Sequence, residues 1–204
     1  MVPYRFMVIP MNPWLVNILA CPICKHHPLR TYFFSWETSD EEIEHISKRD
    51  SKADVSDRLL KYLIREFKEG IISLPALDVI EDLSGNKMTS QLAASAKDTA
   101  IRLEKAIKSS RQSREDVLKE SEPDLSLVYS YFHMISVAEG LLLCDGCDRW
   151  YPIGNRVVGV PEMLPDDLRR KRSEIAFLKK WRNHVPKKAL NEGKPFSLAN
   201  TSQE

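Results

Sequence analysis

The chain has 204 residues, of which 43% are hydrophobic and 29% are charged, a composition typical of a globular protein. Its 30 Lys and Arg residues nearly balance its 29 Asp and Glu residues, and the net charge of +1 excludes a generic polybasic nucleic-acid binder and an acidic solvating tail. The sequence contains no apolar run of about 18 residues and neither a GxxxxGKS/T nor a GxGxxG motif, which excludes a transmembrane helix and the nucleotide-binding enzymes built on those loops.

The first predicted element is a short helix that leads into a cysteine pair. Pro13 suits the first turn of this helix, and a small apolar stripe with helical spacing follows it. The stripe consists of Trp14, Leu15, Ile18 and Leu19. Residues 29–34, after the cysteine pair, are rich in β-favouring side chains and predict a strand. Residues 1–10 lack the features of a signal peptide, so we expect a flexible arm there and a cytoplasmic protein.

Residues 37–132 predict a helical insertion. Ser39 opens an acidic stretch that is typical of a helix N-cap, and Gly70 is typical of a C-cap. Two apolar faces recur with helical spacing and indicate helices that pack in a core. They consist of Leu59, Leu60, Leu63, Ile64 and Phe67, and of Leu92, Ala96, Ala100, Leu103 and Ile107.

The third zone of the chain predicts a β-hairpin that ends in a second cysteine pair. Residues 133–138 alternate and predict a strand, Glu139 and Gly140 predict a turn, and residues 141–143 predict the returning strand. Further apolar segments follow at residues 150–153 and 157–165.

The four cysteines form two Cys-x-x-Cys pairs, at Cys21 and Cys24 and at Cys144 and Cys147. Two such pairs supply four thiolates, which complete a tetrahedral shell around a structural zinc ion and leave no open position for catalysis. Two disulfides, a redox-active pair and an iron–sulfur cluster are the alternatives that the spacing leaves open. The neighbouring His26 and His27 are interpreted as solvated loop histidines, because four thiolates already saturate zinc.

These elements predict an α+β fold, in which a small zinc-ribbon-like domain is built from both ends of the chain. Residues 11–36 and 133–165 would form the zinc-binding domain, with the helical insertion at 37–132 between its two cysteine pairs. A ribbon of this size has too small a core to fold alone, so its folding is expected to depend on the metal.

The two cysteine pairs and the segments beside them resemble the multifunctional methyltransferase subunit family. The resemblance covers about residues 11–36 and 133–165, and its motifs are Leu-Ala-Cys-Pro-Ile-Cys at 19–24, Glu-Gly-Leu-Leu-Leu-Cys-Asp-Gly-Cys at 139–147, Trp-Tyr-Pro-Ile at 150–153 and Gly-Val-Pro-Glu-Met-Leu at 159–164. Members of this family are zinc-ribbon activators of tRNA, rRNA and release-factor methyltransferases. The insertion of about 95 residues and the segment after Pro165 depart from the usual pattern.

The resemblance implies a non-catalytic subunit that binds class I methyltransferases as a heterodimer, covers an apolar patch on them and extends their sheet. S-adenosylmethionine would then be bound only through the partner. The residues expected to contact that partner are Tyr151, Ile153, Val158, Val160, Pro161, Met163 and Leu164. An exposed strand with this rim suits β-augmentation. The alternative is that these side chains pack against the inserted helices.

The segment over residues 166–188 predicts one basic amphipathic helix. It contains nine Lys and Arg residues and three acidic residues, a local charge of +6. Such a helix could contact the phosphates of tRNA, or simply dock by its apolar side with its charges in solvent. The candidate RNA-contacting residues are Arg169, Arg170, Arg172, Lys179 and Lys180. Residues 189–204 are expected to be flexible.

The function expected from the sequence is therefore an activating and stabilising subunit of S-adenosylmethionine-dependent methyltransferases that act on tRNA and on translation factors. A zinc-ribbon module that binds nucleic acid itself is the alternative, although the clear basic cluster lies outside the ribbon. An enzyme is disfavoured, because the cysteines are assigned to the metal and no motif joins a histidine to a nucleophile.

Overall fold

Strands from both ends of the chain form one four-stranded sheet in the computed structural model, which describes residues 11–48, 55–109 and 113–199. The strands lie in the order β2-β1-β3-β4, with β2 parallel to β1 and the other pairs antiparallel. They are β1 (Arg30–Trp36), β2 (Ile80–Asp82), β3 (Val137–Leu143) and β4 (Trp150–Ile153). The predicted α+β fold with a zinc-ribbon-like domain is confirmed. Its sheet also contains β2, which comes from the range assigned to the insertion.

β3 is one continuous strand, and the predicted hairpin at Glu139 and Gly140 was wrong. Gly140 lies opposite Phe33, where a Cβ atom would come within 2.5 Å of the Tyr32 carbonyl oxygen. Glycine therefore allows the two strands to approach closely here and does not form a turn.

The turn of the hairpin is formed by the second cysteine pair. Leu143 at the end of β3 is directly opposite Trp150 at the start of β4. The strand predicted over 133–138 begins only at Val137, because the chain before it completes a π-helical turn over Ser130–Met134.

The insertion is helical, as the two apolar faces predict. Its helices are α1 (Asp40–Ser47), α2 (Asp57–Glu69), α3 (Leu74–Asp78), α4 (Lys87–Ser109) and α5 (Arg114–Tyr129). Ser39 caps α1 in a reciprocal capping box with Glu42, and Gly70 ends α2 in the left-handed conformation, so both predicted caps are confirmed. The predicted faces of α2 and α4 pack with residues of α1 and α5 in one apolar cluster, except for Leu59, which is exposed and was wrongly assigned to the α2 face.

The sheet has an apolar cluster on each face, because successive side chains of a strand point to opposite sides. Phe33, Leu142 and Tyr151 pack on the side of the N-terminal 3₁₀ helix (Pro13–Asn17). Phe34 and Trp150 pack on the opposite side, against the C-terminal segment.

The C-terminal segment is not one basic helix over 166–188, and that prediction was wrong. The chain forms a 3₁₀ turn (Asp166–Leu168), α6 (Lys171–Lys180) and α7 (Lys187–Glu192), with a bend between the last two. The expectation that residues 189–204 are flexible is also corrected as far as residue 199, because Ala189 is fully buried and Phe196 and Leu198 pack on the sheet. The predictions for residues 1–10 and 200–204 concern residues outside the described ranges.

No helix within the described parts of the chain combines the length and the apolar character needed to cross a membrane.

Candidate metal centre and partner surface

The two Cys-x-x-Cys pairs adopt the same backbone turn. In the first pair, Cys21 donates its N–H to the His26 carbonyl at 2.9 Å, and Lys25 donates to the Cys21 carbonyl at 2.9 Å. Cys144 donates in the same way to Arg149 at 2.8 Å, and Asp148 to Cys144 at 2.9 Å. Lys25 and Asp148, at the same place in each turn, have positive φ angles of 62° and 60°. This repeated turn points both thiols of a pair in one direction.

The turns face each other and bring the four sulfur atoms together. All four Sγ atoms lie within 4.8 Å of one another. The cross-pair distances are 3.6 Å from Cys21 to Cys147 and 3.4 Å from Cys24 to Cys144. A tetrahedral shell with zinc–sulfur bonds of about 2.3 Å has sulfur–sulfur edges of about 3.8 Å. The cluster therefore fits zinc.

Close packing between the two turns explains Gly146 in the second pair. A Cβ atom at this position would lie 3.1 Å from the Cβ of His26 and 3.4 Å from the Cys24 sulfur. A side chain here would push the two turns apart and widen the sulfur cluster. His26 thus contributes its backbone and its packing to the site.

The surroundings of Cys21 favour its thiolate. Burial opposes its ionisation, but the backbone N–H groups of Cys24 and Ile23, the Tyr151 hydroxyl and the Cys147 thiol together lower the pKa of Cys21 to about 6. Burial raises the pKa values of Cys144 and Cys147. A bound divalent cation supplies the positive charge that holds buried thiols in the deprotonated form.

Tyr151 belongs to the metal centre and not to a partner surface. Its side chain is fully buried in β4, and its hydroxyl lies 3.2 Å from the Cys21 sulfur. Ile153, two residues further along β4, is fully buried on the same face of the sheet. Both were predicted to contact a partner, and that prediction is corrected, because neither side chain reaches the surface.

The other predicted partner residues follow β4 in a segment that runs along its outer edge. Gly154 donates its N–H to the Val160 carbonyl at 3.0 Å, and Glu162 donates to the Pro152 carbonyl at 2.8 Å. Val158 is 52% exposed, and its neighbour Val157 is 44% exposed. The remaining members of the predicted set are half-buried, namely Val160, Pro161, Met163 and Leu164. The stretch of chain from residue 157 to residue 164 is called here the 157–164 segment.

The chain already covers the outer edge of β4 itself. Residues 160–162 bond to the end of the strand, and Trp150 at its beginning donates to the Lys194 carbonyl at 3.3 Å. A strand from another protein therefore has no access to β4, and any strand added on this side would have to pair with the 157–164 segment.

Arg169 is not available for RNA, and its prediction as an RNA-contacting residue was wrong. Its side chain is 0% exposed and forms an ion pair with the buried carboxylate of Glu174. The guanidinium also lies over the Trp150 ring at 4.9 Å and the Tyr151 ring at 5.3 Å. The acidic residue five positions after Arg169 was the sequence signal for this pair.

The remaining tail cations lie at the surface. Lys180 pairs with Glu139 of β3 at 2.6 Å, which anchors α6 to the sheet. Arg170, Arg172 and Lys179 are exposed. These three predicted RNA-contacting residues are accessible, and none of them forms an ion pair within the described residues.

Comparison with known proteins finds one family. The model of the Trm112p-like protein family matches residues 12–155, well over half of the chain, and both cysteine pairs lie within the match. Neither curated proteins nor solved structures give a significant match. The match begins just before the 3₁₀ helix and ends after β4, so it includes the whole sheet and the insertion. The chain therefore belongs to the Trm112p-like family, the family of activator subunits of methyltransferases.

Proposed function

We propose that this protein is a non-catalytic subunit that activates and stabilises class I, S-adenosylmethionine-dependent methyltransferases acting on tRNA and on translation factors. The family match carries the proposal. The subunit forms a heterodimer with the catalytic chain, which alone binds S-adenosylmethionine, and acts in the cytoplasm.

A structural zinc ion bound by Cys21, Cys24, Cys144 and Cys147 is part of this proposal. The sulfur cluster joins two segments of the chain that are more than a hundred residues apart, so the metal fixes the turn from which β4 begins, and β4 in turn leads to the 157–164 segment. Such a site contributes to folding and does not activate a water molecule, because four thiolates fill the shell.

The 157–164 segment is the surface we assign to the methyltransferase. It is apolar, partly exposed and held against β4 by residues 160–162, so its exposed side chains could receive an apolar patch of the catalytic subunit. Burial of its valines would remove apolar surface from water in the complex, which favours association by about 25 cal/mol per Å². The contacting residues are Val158, Val160, Pro161, Met163 and Leu164.

Arg170, Arg172 and Lys179 are proposed to contact tRNA that is bound to the catalytic partner. They lie on the face of the tail that is directed away from the sheet, because Ile175, Phe177 and Leu178 occupy the other face. Phosphate contacts of this kind raise affinity in a salt-dependent way.

The alternative function, a ribbon that binds nucleic acid directly, is less well supported, because three cations at the described ribbon are paired with carboxylates. Arg30 pairs with Asp145 at 2.7 Å, Arg149 with Asp166 at 2.7 Å and Lys188 with Asp148 at 2.7 Å. These carboxylates offset the charge of the three cations, and no Phe, Tyr or Trp side chain of the described ribbon is exposed to stack on a base. The ribbon is therefore better suited to a protein partner.

The test is affinity purification of the tagged full chain from its native cells, with mass spectrometry and metal analysis of the same sample. Stoichiometric class I methyltransferases and one zinc per chain are expected. Val158→Asp should lose the methyltransferases but keep the zinc, whereas Ile18→Asp, a change of an equally exposed apolar side chain outside the 157–164 segment, should keep both. Recovery of zinc with RNA or polymerase subunits, and without a methyltransferase, would contradict the proposal.

A further inference from the structure

The outward face of α2 presents a row of cations with helical spacing. Arg58, Lys61 and Arg65 recur at intervals of three and four residues, and Tyr62 lies among them. The inward face of the helix is apolar and buried, and it consists of Leu60, Leu63, Ile64 and Phe67. Since packing holds the inward face against α4 and α5, the cationic row is held in a fixed orientation toward solvent.

A groove of about 650 Å³ runs beside this row. Arg114, the first residue of α5, faces α2 across it, so both walls carry positive charge. The lining residues are Ser56, Arg58, Leu59, Lys61, Tyr62, Arg65 and Arg114. This set is called here the α2–α5 groove.

Tyr62 is the aromatic side chain that stands out in this groove. It is 50% exposed, whereas every other aromatic residue in 11–48, 55–109 and 113–199 is buried or half-buried. Leu59 beside it is also exposed. A half-exposed ring among cations is the arrangement that binds bases by stacking and the connecting phosphates by charge.

The carboxylates near the groove leave its positive charge available. Lys61 pairs with Glu115 at 3.2 Å and Arg65 with Glu69 at 2.7 Å, in both cases at exposed positions. Exposed pairs of this kind contribute only about 0–1 kcal/mol, so a phosphate can replace the carboxylate. Arg58 and Arg114 have no acidic partner among the residues that the structure describes.

We infer that the α2–α5 groove binds single-stranded RNA, with a base stacked on Tyr62 and phosphates held by Arg58 and Arg114. An unpaired strand fits better than a duplex, because the ring must reach the face of a base. This surface is separate from the tail cations and from the 157–164 segment. The inference relies on the proposed function only for the source of the strand, which would be an unpaired region of the RNA methylated by the partner.

The experiment measures binding of the zinc-loaded full chain to a fluorescent oligouridine of about 12 nucleotides by anisotropy at low salt. Tyr62→Ala is expected to weaken binding about 5- to 160-fold, since stacking on an aromatic side chain contributes about 1–3 kcal/mol per base. Tyr62→Phe keeps the ring and should bind within about twofold of the wild type. Because these side chains are exposed, we expect all the variants to keep the wild-type unfolding curve.

The charge contribution is tested by salt dependence. The double variant Arg58→Ala/Arg114→Ala should lower the slope of log affinity against log salt by about 1.4, since each phosphate contact on a single strand contributes about 0.7. Lys68→Ala is the matched control, because Lys68 is an exposed cation of α2 outside the groove. It should leave the slope unchanged.

The inference is overturned if Tyr62→Ala and the double variant bind the oligonucleotide as tightly as Lys68→Ala does. It is equally overturned if the groove variants no longer bind an acidic, leucine-rich peptide but still bind RNA. The groove would then be a protein-docking surface. Methyltransferase co-purification is measured separately on the same variants. If the wild-type chain does not bind the oligonucleotide but still co-purifies with a methyltransferase, the groove assignment is rejected and the proposed function is unaffected.

Discussion

Trp14 donates a hydrogen bond from its indole Nε1 to Oε1 of Glu66 at 3.0 Å, and this bond joins the zinc-binding domain to the insertion. Trp14 belongs to the 3₁₀ helix that leads into the first cysteine pair, whereas Glu66 lies in α2 and is 1% exposed. The second oxygen of Glu66 lies 3.8 Å from Nε2 of His133, just before β3, and neither atom has a hydrogen-bond partner among the described residues. One buried carboxylate thus lies between the segments that lead to the two cysteine pairs.

Removal of this acceptor should loosen the junction between the two parts of the chain. Glu66→Leu leaves the Trp14 N–H buried without a partner, which costs about 1–3 kcal/mol in the free energy of unfolding. Glu66→Gln keeps an acceptor for Trp14 and should cost less. Urea unfolding of both zinc-loaded variants measures the difference. Equal losses in the two variants would show that the hydrogen bond to Trp14 is not what stabilises this junction.

The four-cysteine cluster was predictable from sequence because its information is local. Each Cys-x-x-Cys turn is defined by a few consecutive residues, and two such turns indicate one four-sulfur site wherever the intervening chain runs. The helices of the insertion were predictable for a similar reason. Their apolar spacing is periodic over many residues, and Ser39 and Gly70 are typical caps.

The features that could not be predicted depend on contacts between distant segments. β2 has only three residues and is a strand because β1 lies beside it. Gly140 suggested a turn, but the close approach of Tyr32 on the neighbouring strand accounts for it. The tail was interpreted from its charges. Its burial depends on apolar residues on the sheet face opposite the 3₁₀ helix, and no local pattern in the sequence reveals this contact.

Loss of one cysteine should destabilise the whole metal centre and not a single loop. Cys144→Ser opens the shell, so the variant should lose its zinc and unfold at a lower temperature. Chelator treatment of the wild type should produce the same lower melting temperature, and the variant should not respond to the chelator. A Cys144→Ser variant with unchanged zinc content and thermal stability would contradict the metal assignment.

The Tyr151 hydroxyl should tune metal affinity without changing the fold. Tyr151→Phe keeps the buried ring but removes the hydroxyl that lies 3.2 Å from the Cys21 sulfur. Loss of such an outer partner weakens metal binding by about 10- to 100-fold. Competition with a chromophoric zinc chelator measures the change, and circular dichroism checks that the fold is retained. Unchanged zinc affinity would mean that the backbone N–H groups suffice to stabilise the thiolate.

The buried pair between Arg169 and Glu174 should be the most sensitive point of the tail. Arg169→Met leaves the Glu174 carboxylate buried without its partner, and breaking a buried pair in this way costs about 3–5 kcal/mol. The double variant Arg169→Met/Glu174→Leu removes both charges and should recover most of that loss, because an apolar pair avoids the desolvation of two ions.

Arg170→Ala is the matched control, since Arg170 is exposed beside the pair and should change the free energy of unfolding by no more than about 0.5 kcal/mol. Urea unfolding followed by tryptophan fluorescence measures these losses, and Trp150, one of the four tryptophans, lies beside the guanidinium of Arg169. If the double variant is as unstable as Arg169→Met, the stability of the tail depends on the other contacts of the guanidinium, over Trp150 and Tyr151 and to the Lys194 carbonyl, rather than on the compensation of charge.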